Sequence, residues 1–356
     1  MKKSFIFGAA LMLMGALSFQ SCSQESNPGE PVTDPVTADI NAGADLVTLL
    51  EKYSVDGVLV LPAGANITID ETVQLAVPVY IVGDKDKPAL ITAKAGFMTN
   101  STLTFSNVDI DATELKNENL VSLPTTEAEE TNNIEEIAFD NVIIKGLGKA
   151  LFYSAAKGNL IKNFTINNSI IEVAADITVI DFTKGSSAVN INIANSTLYA
   201  PTKTTKSMYS SQSGQRVTDF GSDLAQTFNL QYSTFYNFAP TKNFFSHRQN
   251  SQKWLNYNVE GVITLDCGKV GQVIKGLNGG GQSANPKYSV KNFFSLSTGD
   301  TGIVDNTASE NTNGAGTEIV PEGYTQHVFT FADVTKGNFT QSTAASGDPR
   351  WIANAQ

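Results

Sequence analysis

Histidine and arginine are scarce in this sequence, and the scarcity narrows the chemistry it can do. There are two histidines, His247 and His327, and three arginines, Arg216, Arg248 and Arg350, in 356 residues. His247-Arg248 is therefore the one place where a proton-transfer group adjoins a permanent cation, the pairing that proton abstraction uses. A polar loop carrying a surface histidine is the plainer reading of the same two residues. Carboxylates are plentiful but dispersed. Glu127, Glu129 and Glu130 form an acidic run of the kind that water covers, and Asp109 and Asp111 alternate along one strand and share an outer face. Neither group offers the roughly six to eight oxygens that calcium takes, so no metal site is assigned. No two acids can be assigned to the spacing of about 5–9.5 Å that a glycoside hydrolase needs. Binding chemistry is better supplied. Tyr209, Trp254 and Tyr257 stand in or beside long polar loops near Arg248 and Lys253, with Gln249, Asn250, Ser251 and Gln252 between them. Aromatic faces stack on the apolar faces of sugar rings, while amides and guanidinium groups bond hydroxyls. Packing of Trp254 beneath its own loop is the alternative. Gly276 to Gly281 is a turn, because no helix follows it to make a phosphate loop.

The N-terminal residues speak to destination. Lys2 and Lys3 precede an apolar run from Phe5 to Phe19, too short to span a hydrocarbon core of about 30 Å as a helix and placed where a signal peptide belongs. Ser18-Phe19-Gln20-Ser21-Cys22 follows. It resembles a bacterial lipobox, with Phe19 and Gln20 where small residues are commoner, as in Bacteroidetes lipoproteins. The resemblance implies that residues 1–21 are removed and that Cys22 carries lipid, anchoring the protein at the outer membrane. It would then face the cell surface or the periplasm. Residues 22–40 hold three prolines, a glycine and several acids and read as an extended tether. Cys267 is the other cysteine, so no disulfide is expected in the mature part. It sits in the apolar stretch Val262–Cys267 and reads as a small buried hydrophobe. The formal net charge of −11, more acidic still once Lys2 and Lys3 are gone, leaves no basic patch for nucleic acid and would repel a polyanion outside a local cationic groove.

The elements that must position these residues come from a repeat. Leu103–Ile110, Ile137–Ile144, Phe164–Ile171 and Ile191–Leu198 each read apolar-x-apolar-x-Asn, then a small or apolar residue, x, apolar. Phe228–Phe235 replaces the Asn by Tyr232, and weaker copies centre on Gly261 and Asn292. The corner residues Asn107, Asn141, Asn168, Asn195, Tyr232, Gly261 and Asn292 stand 27 to 37 residues apart. Alternation buries one face of a strand. The Asn then demands a sharp bend, which its tolerance of the left-handed region permits. A third strand is expected between copies, at Leu120–Leu123, Leu151–Ser154, Val179–Phe182, Met208–Ser211, Phe244–His247 and Val273–Gly276. Extra length falls at Leu123–Ile134 and Ala200–Thr227, as loops. Three short sheets coiled round one core follow, closed at the N-terminal end by an amphipathic helix over Asp45–Tyr53.

Val58–Ile69 with Val79–Gly83 resembles the opening rungs of pectate-lyase-like proteins, and Phe329–Phe339 their last rung. Gly347-Asp-Pro-Arg-Trp351 resembles the C-terminal end of uncharacterised Bacteroidetes lipoproteins, domains of unknown function with that fold. The implied class is all-β: a right-handed, single-stranded parallel β-helix with a short N-terminal capping helix. The β-helix occupies residues 41–300, and residues 301–356 form a C-terminal loop, last rung and cap. The resemblance implies that substrate would lie along one outer sheet face, here the row Tyr153, Asp181, Ser210, Ser246 and Lys275. At about 4.8 Å per rung, Asp181 lies about 10 Å from Ser246 and about 14 Å from Lys275, too far to share a proton. The expected function is a monomeric, non-catalytic envelope lipoprotein that binds a polysaccharide or other glycan and uses no cofactor. Two alternatives stay open. One is a divergent polysaccharide lyase acting on a uronate-containing glycan and drawing on His247, Arg248, Lys275 or Asp181, the one case in which the resemblance admits Ca²⁺. The other is a purely structural surface or adhesion protein. Arg350 is expected to be a structural clamp.

Overall fold

The computed structural model describes residues 34–115, 117–124, 132–154, 158–182, 186–211, 226–239, 244–247, 255–267, 287–299, 302–311, 328–341 and 346–352. It is a parallel β-helix. The first sheet runs through Val58–Val60, Val79–Val82, Leu103–Ser106, Asn132–Asp140, Asn159–Asn167, Ser187–Ala194, Gln226–Gln231 and Leu255–Glu260 to the first part of Lys287–Gly299. The second runs through Asn66–Ile69, Ala89–Ala93, Val108–Asp111, Ile143–Leu147, Ile170–Val173, Thr197–Tyr199, Thr234–Tyr236 and Ile263–Leu265 to the later part of that long strand. The third is built from Val73–Leu75, Phe97–Thr99, Val121–Leu123, Phe152–Ser154, Ile180–Phe182, Tyr209–Ser211 and Phe245–His247, all parallel. Five of the six expected third strands are thus present, and Val273–Gly276 lies outside the described residues.

The corner between the first and second sheets explains the repeat. Asn107, Asn141, Asn168, Asn195, Tyr232 and Asn292 have φ between 44° and 55°, and Gly261 has φ 64°. Asn141 Nδ2 donates to Asn107 Oδ1 at 2.9 Å, one rung away. The residue after the corner has its own task. Ser169, Ser196 and Ser233 are buried, and their hydroxyls accept from the backbone N–H of Val142, Ser169 and Ser196 respectively. Each serine so satisfies a buried donor that the bend takes out of the ladder. Gly261 has a separate reason: a Cβ there would meet the Tyr232 ring at 2.5 Å. Where one rung uses tyrosine at the corner, the next has to give it room.

Inside, each rung contributes large apolar side chains that stack on their neighbours. Phe105 and Phe139 lie parallel with centroids 5.3 Å apart, and Phe152 meets Phe164 and Phe182 at 5.3 and 5.0 Å. Helix α2 (Leu46–Tyr53), capped by the Asp45 carboxylate on Thr48 N–H, closes the N-terminal end with Leu46, Leu49 and Leu50 buried. Cys267 is buried as expected, and burial pushes its thiol pKa up.

Two expectations are corrected. Residues 35–40, read as the end of the tether, belong to a helix, α1 (Pro35–Asn41): Pro35 occupies its first turn and Asp34 caps Thr37 N–H, so local capping outweighs the extended bias of the prolines before it. Phe329–Phe339 is not a last rung. After Lys287–Gly299 the chain reverses, and Gly302–Asn311 pairs antiparallel with it. The strands Phe331–Asp333 and Asn338–Gln341 then form an antiparallel pair. Phe329, Val334 and Phe339 pack with Tyr199, Tyr236, Ile263, Leu265 and Leu296, residues of the second sheet. The C-terminal segment is a strap over that sheet's outer face.

Candidate functional site

The strap covers the C-terminal part of the second sheet; half-buried and exposed side chains line the outer faces of the first and third. Asp109 and Asp111 belong to the second sheet's outer face nearer the N-terminus and share it as expected. Burial raises the Asp109 carboxyl pKa, opposed by the Ile143 N–H and Lys145, while Asp111 accepts from Thr113 at 2.6 Å. Among the described residues no group of three or more His, Cys, Asp or Glu side chains is placed to hold a metal ion.

The strap is held by the C-terminal motif. Asp348 is fully buried and accepts from Thr197 Oγ1 at 2.7 Å and from Arg350 Nη2 at 2.6 Å. Arg350 also donates to the carbonyls of Asn168, Ser169 and Asn195, at two consecutive corners of the solenoid. Trp351 Nε1 reaches Thr197 Oγ1 at 2.7 Å, and Gly347, at φ 87°, bonds the Gly261 carbonyl. Arg350 is the clamp expected of it.

On the third sheet, the expected outward row is in register. Tyr153 pairs with Asp181, Asp181 with Ser210 and Ser210 with Ser246, each half-buried, and the row extends back through Ser122, Met98 and Gln74. The backbone of His247 ends the strand after Ser246. Arg248, Lys253, Trp254 and Lys275 lie outside the described residues, as does Cys22. The structure does bear on the two tyrosines, and it corrects both. Tyr209 is 0 % exposed and Tyr257 2 %. Tyr209 begins a third-sheet strand with its ring among Phe182, Phe228 and Phe245, and its hydroxyl accepts from Gln226 Nε2. Tyr257 stacks on Phe228 at 4.8 Å. Their flanking polar residues suggested loops, but strand alternation turns both rings into the core, where no sugar can stack on them.

The first sheet's outer face carries what the sequence reading passed over. One row runs Tyr80, Thr104, Ala138, Thr165, Asn192, Asn229 and Asn258 in register. Its amides are chained: Asn229 Nδ2 donates to Asn192 Oδ1 at 2.7 Å, and Asn258 Nδ2 to Asn229 Oδ1 at 2.8 Å. A parallel row pairs Asn167 Nδ2 with Asp140 Oδ1 at 2.8 Å, and another pairs Asn190 Nδ2 with Asn163 Oδ1 at 3.0 Å. Between them lies a shallow trough of about 390 Å³, bordered by Tyr80, Thr104, Glu136, Asp140, Thr165 and Asn192. It exists because Ala138 in mid-row carries only a methyl group. The sequence signal was present as polar residues between the buried ones, but alternation alone marks any solvated face. A larger groove of about 590 Å³, lined mainly by valines and prolyl or tyrosyl carbon, lies between α1 and the first rung, away from these ladders.

No curated protein and no solved structure matches the chain. Residues 65–201, from the second-sheet strand Asn66–Ile69 to just past Thr197–Tyr199, match the family described as a domain of unknown function (DUF4957), and over those rungs the chain is similar to that domain.

Proposed function

We propose that this is a non-catalytic envelope protein that binds glycan along the outside of its solenoid and is held at the outer membrane by lipid on Cys22. The observation that carries the reading is the chemistry of the outer faces of the first and third sheets. Hydroxyl and amide groups recur there rung after rung in register, as in Asn192–Asn229–Asn258 and Ser210–Ser246. An amide has two donors and two acceptor lone pairs, so a chained amide that spends one of each along the row keeps one of each for a ligand. A glycan offers complementary hydroxyls at regular intervals along an extended chain.

The test is retention of the full chain, purified in detergent, in affinity electrophoresis through plant, host and microbial polysaccharides. Retardation by at least one is expected, without release of unsaturated uronide absorbance from any. Free mobility in all of them would end the glycan reading. Uronide release that disappears in Arg248→Ala would replace it with lyase chemistry.

A further inference from the structure

Resting on the glycan reading, we infer that the ligand is a neutral polysaccharide and that its subsite is the trough on the first sheet, with the chain lying parallel to the solenoid axis. Direction follows from the rows. Thr104, Ala138, Thr165 and Asn192 succeed one another by one rung each, about 4.8 Å apart along the axis. A polymer running that way meets a hydroxyl or amide at Thr104, Thr165 and Asn192 and finds room over Ala138, whereas one crossing the sheet leaves the row after a single contact.

Charge selects the class. The ionisable groups bordering the trough, apart from the Tyr80 phenol, are the carboxylates of Glu136 and Asp140. Each already accepts one bond along the sheet, from Thr165 Oγ1 at 3.4 Å and from Asn167 Nδ2 at 2.8 Å. Remaining lone pairs suit the hydroxyl donors of a neutral sugar, and bonds to an ionised acceptor are the stronger kind. A uronate or sulfate would instead set its own charge against theirs, with no lining cation to offset the repulsion. Tyr80, 36 % exposed at the N-terminal end of the row, offers a ring face to a terminal or bending sugar residue.

The experiment compares the full chain with Ala138→Gln, Asn192→Ala and Tyr80→Ala, with Tyr153→Ala reporting on the competing third-sheet row. Probes are soluble β-glucan, mannan and xylan, set against polygalacturonate and alginate. All four side chains lie on outer faces, Ala138 at 7 % exposure, and circular dichroism and melting matched to the parent hold folding constant for each variant scored. Retention on a neutral polymer, weakened about tenfold by Ala138→Gln or Asn192→Ala and unchanged by Tyr153→Ala, is expected; tenfold corresponds to about 1.4 kcal/mol, the scale of one lost hydrogen bond. Neutral binding that survives the trough variants and falls with Tyr153→Ala would overturn the trough and leave glycan binding standing. Retention by the polyuronates alone would overturn the neutral class. Retention by none of the polymers overturns both readings.

Discussion

Replacing Arg350 by alanine would leave the buried Asp348 carboxylate without its guanidinium and remove a donor from three corner carbonyls, those of Asn168, Ser169 and Asn195, of which Ser169 keeps the Thr197 N–H. Breaking a buried ion pair from one side costs about 3–5 kcal/mol. The Arg350 side chain is 34 % exposed, so water reaches part of the vacated space, and Thr197 still donates to Asp348. The low end, about 3 kcal/mol, is therefore expected. A solenoid opens in parts, and the loss should fall on the strap. At about 1.4 kcal/mol per factor of ten, strap opening becomes about a hundredfold more frequent. Native-state hydrogen exchange of the amides of residues 338–341, 346–348 and 350–352 reads this directly, with the amides of Leu103–Ser106 as the internal standard. Exposure of Tyr199, Tyr236 and Leu265 should raise dye binding in parallel. The double variant Asp348→Asn/Arg350→Ala removes the stranded charge and should recover about 1 kcal/mol or more of the single variant's loss. Unchanged strap exchange in Arg350→Ala, or a double variant that loses still more, would refute the argument that the pair latches the strap.

Other perturbations test the rungs and the burial. Asn141→Ala keeps a left-handed corner on a residue that resists it and should lower stability by about 1–2 kcal/mol, with Asn141→Gly less affected in urea titrations; equal losses would mean the corner conformation is not what asparagine supplies. Phe139→Ala removes a ring stacked on Phe105 and should cost about 3–5 kcal/mol, measured by the same titration, and a loss under 1 kcal/mol would contradict tight rung packing. Burial raises the Cys267 thiol pKa, and burial with the Glu172 carboxylate raises that of the Tyr199 phenol. Only the unfolded chain then ionises at moderately alkaline pH, so stability is intact below about pH 8.5 and falls above it, by up to about 1.4 kcal/mol per pH unit for each group past its unfolded value. Urea midpoints that fail to drop in that window, or a slope unchanged between about pH 8.5 and 10 by Cys267→Ala, would argue against it. Metabolic labelling with a fatty acid should mark the full chain and not Cys22→Ala; label retained by the variant would remove the anchor from Cys22.

The sequence by itself determined the coil. Strand alternation and an asparagine at constant offset are local requirements of face and dihedral angle, so they can be read without knowing what packs where; the serine behind the corner serves a donor one rung away, which only the stacked rungs reveal. The row Tyr153–Asp181–Ser210–Ser246 was legible for the same reason, since a strand's period assigns its faces once the rungs are aligned. Tertiary structure alone decided what covers each face. Phe329–Phe339 alternates like a rung, yet it lies as a strap on Tyr199 and Tyr236, because the chain had already reversed at Gly302–Asn311. Tyr257 could be told from a loop aromatic only by seeing its ring against Phe228 and Phe245, whereas Tyr209, next to outward Ser210 on the expected strand Met208–Ser211, is turned inward by alternation alone. The trough depends on a small residue, Ala138, set between larger ones drawn from other rungs. A depression is a relation between residues tens of positions apart, and no local pattern in the chain encodes it.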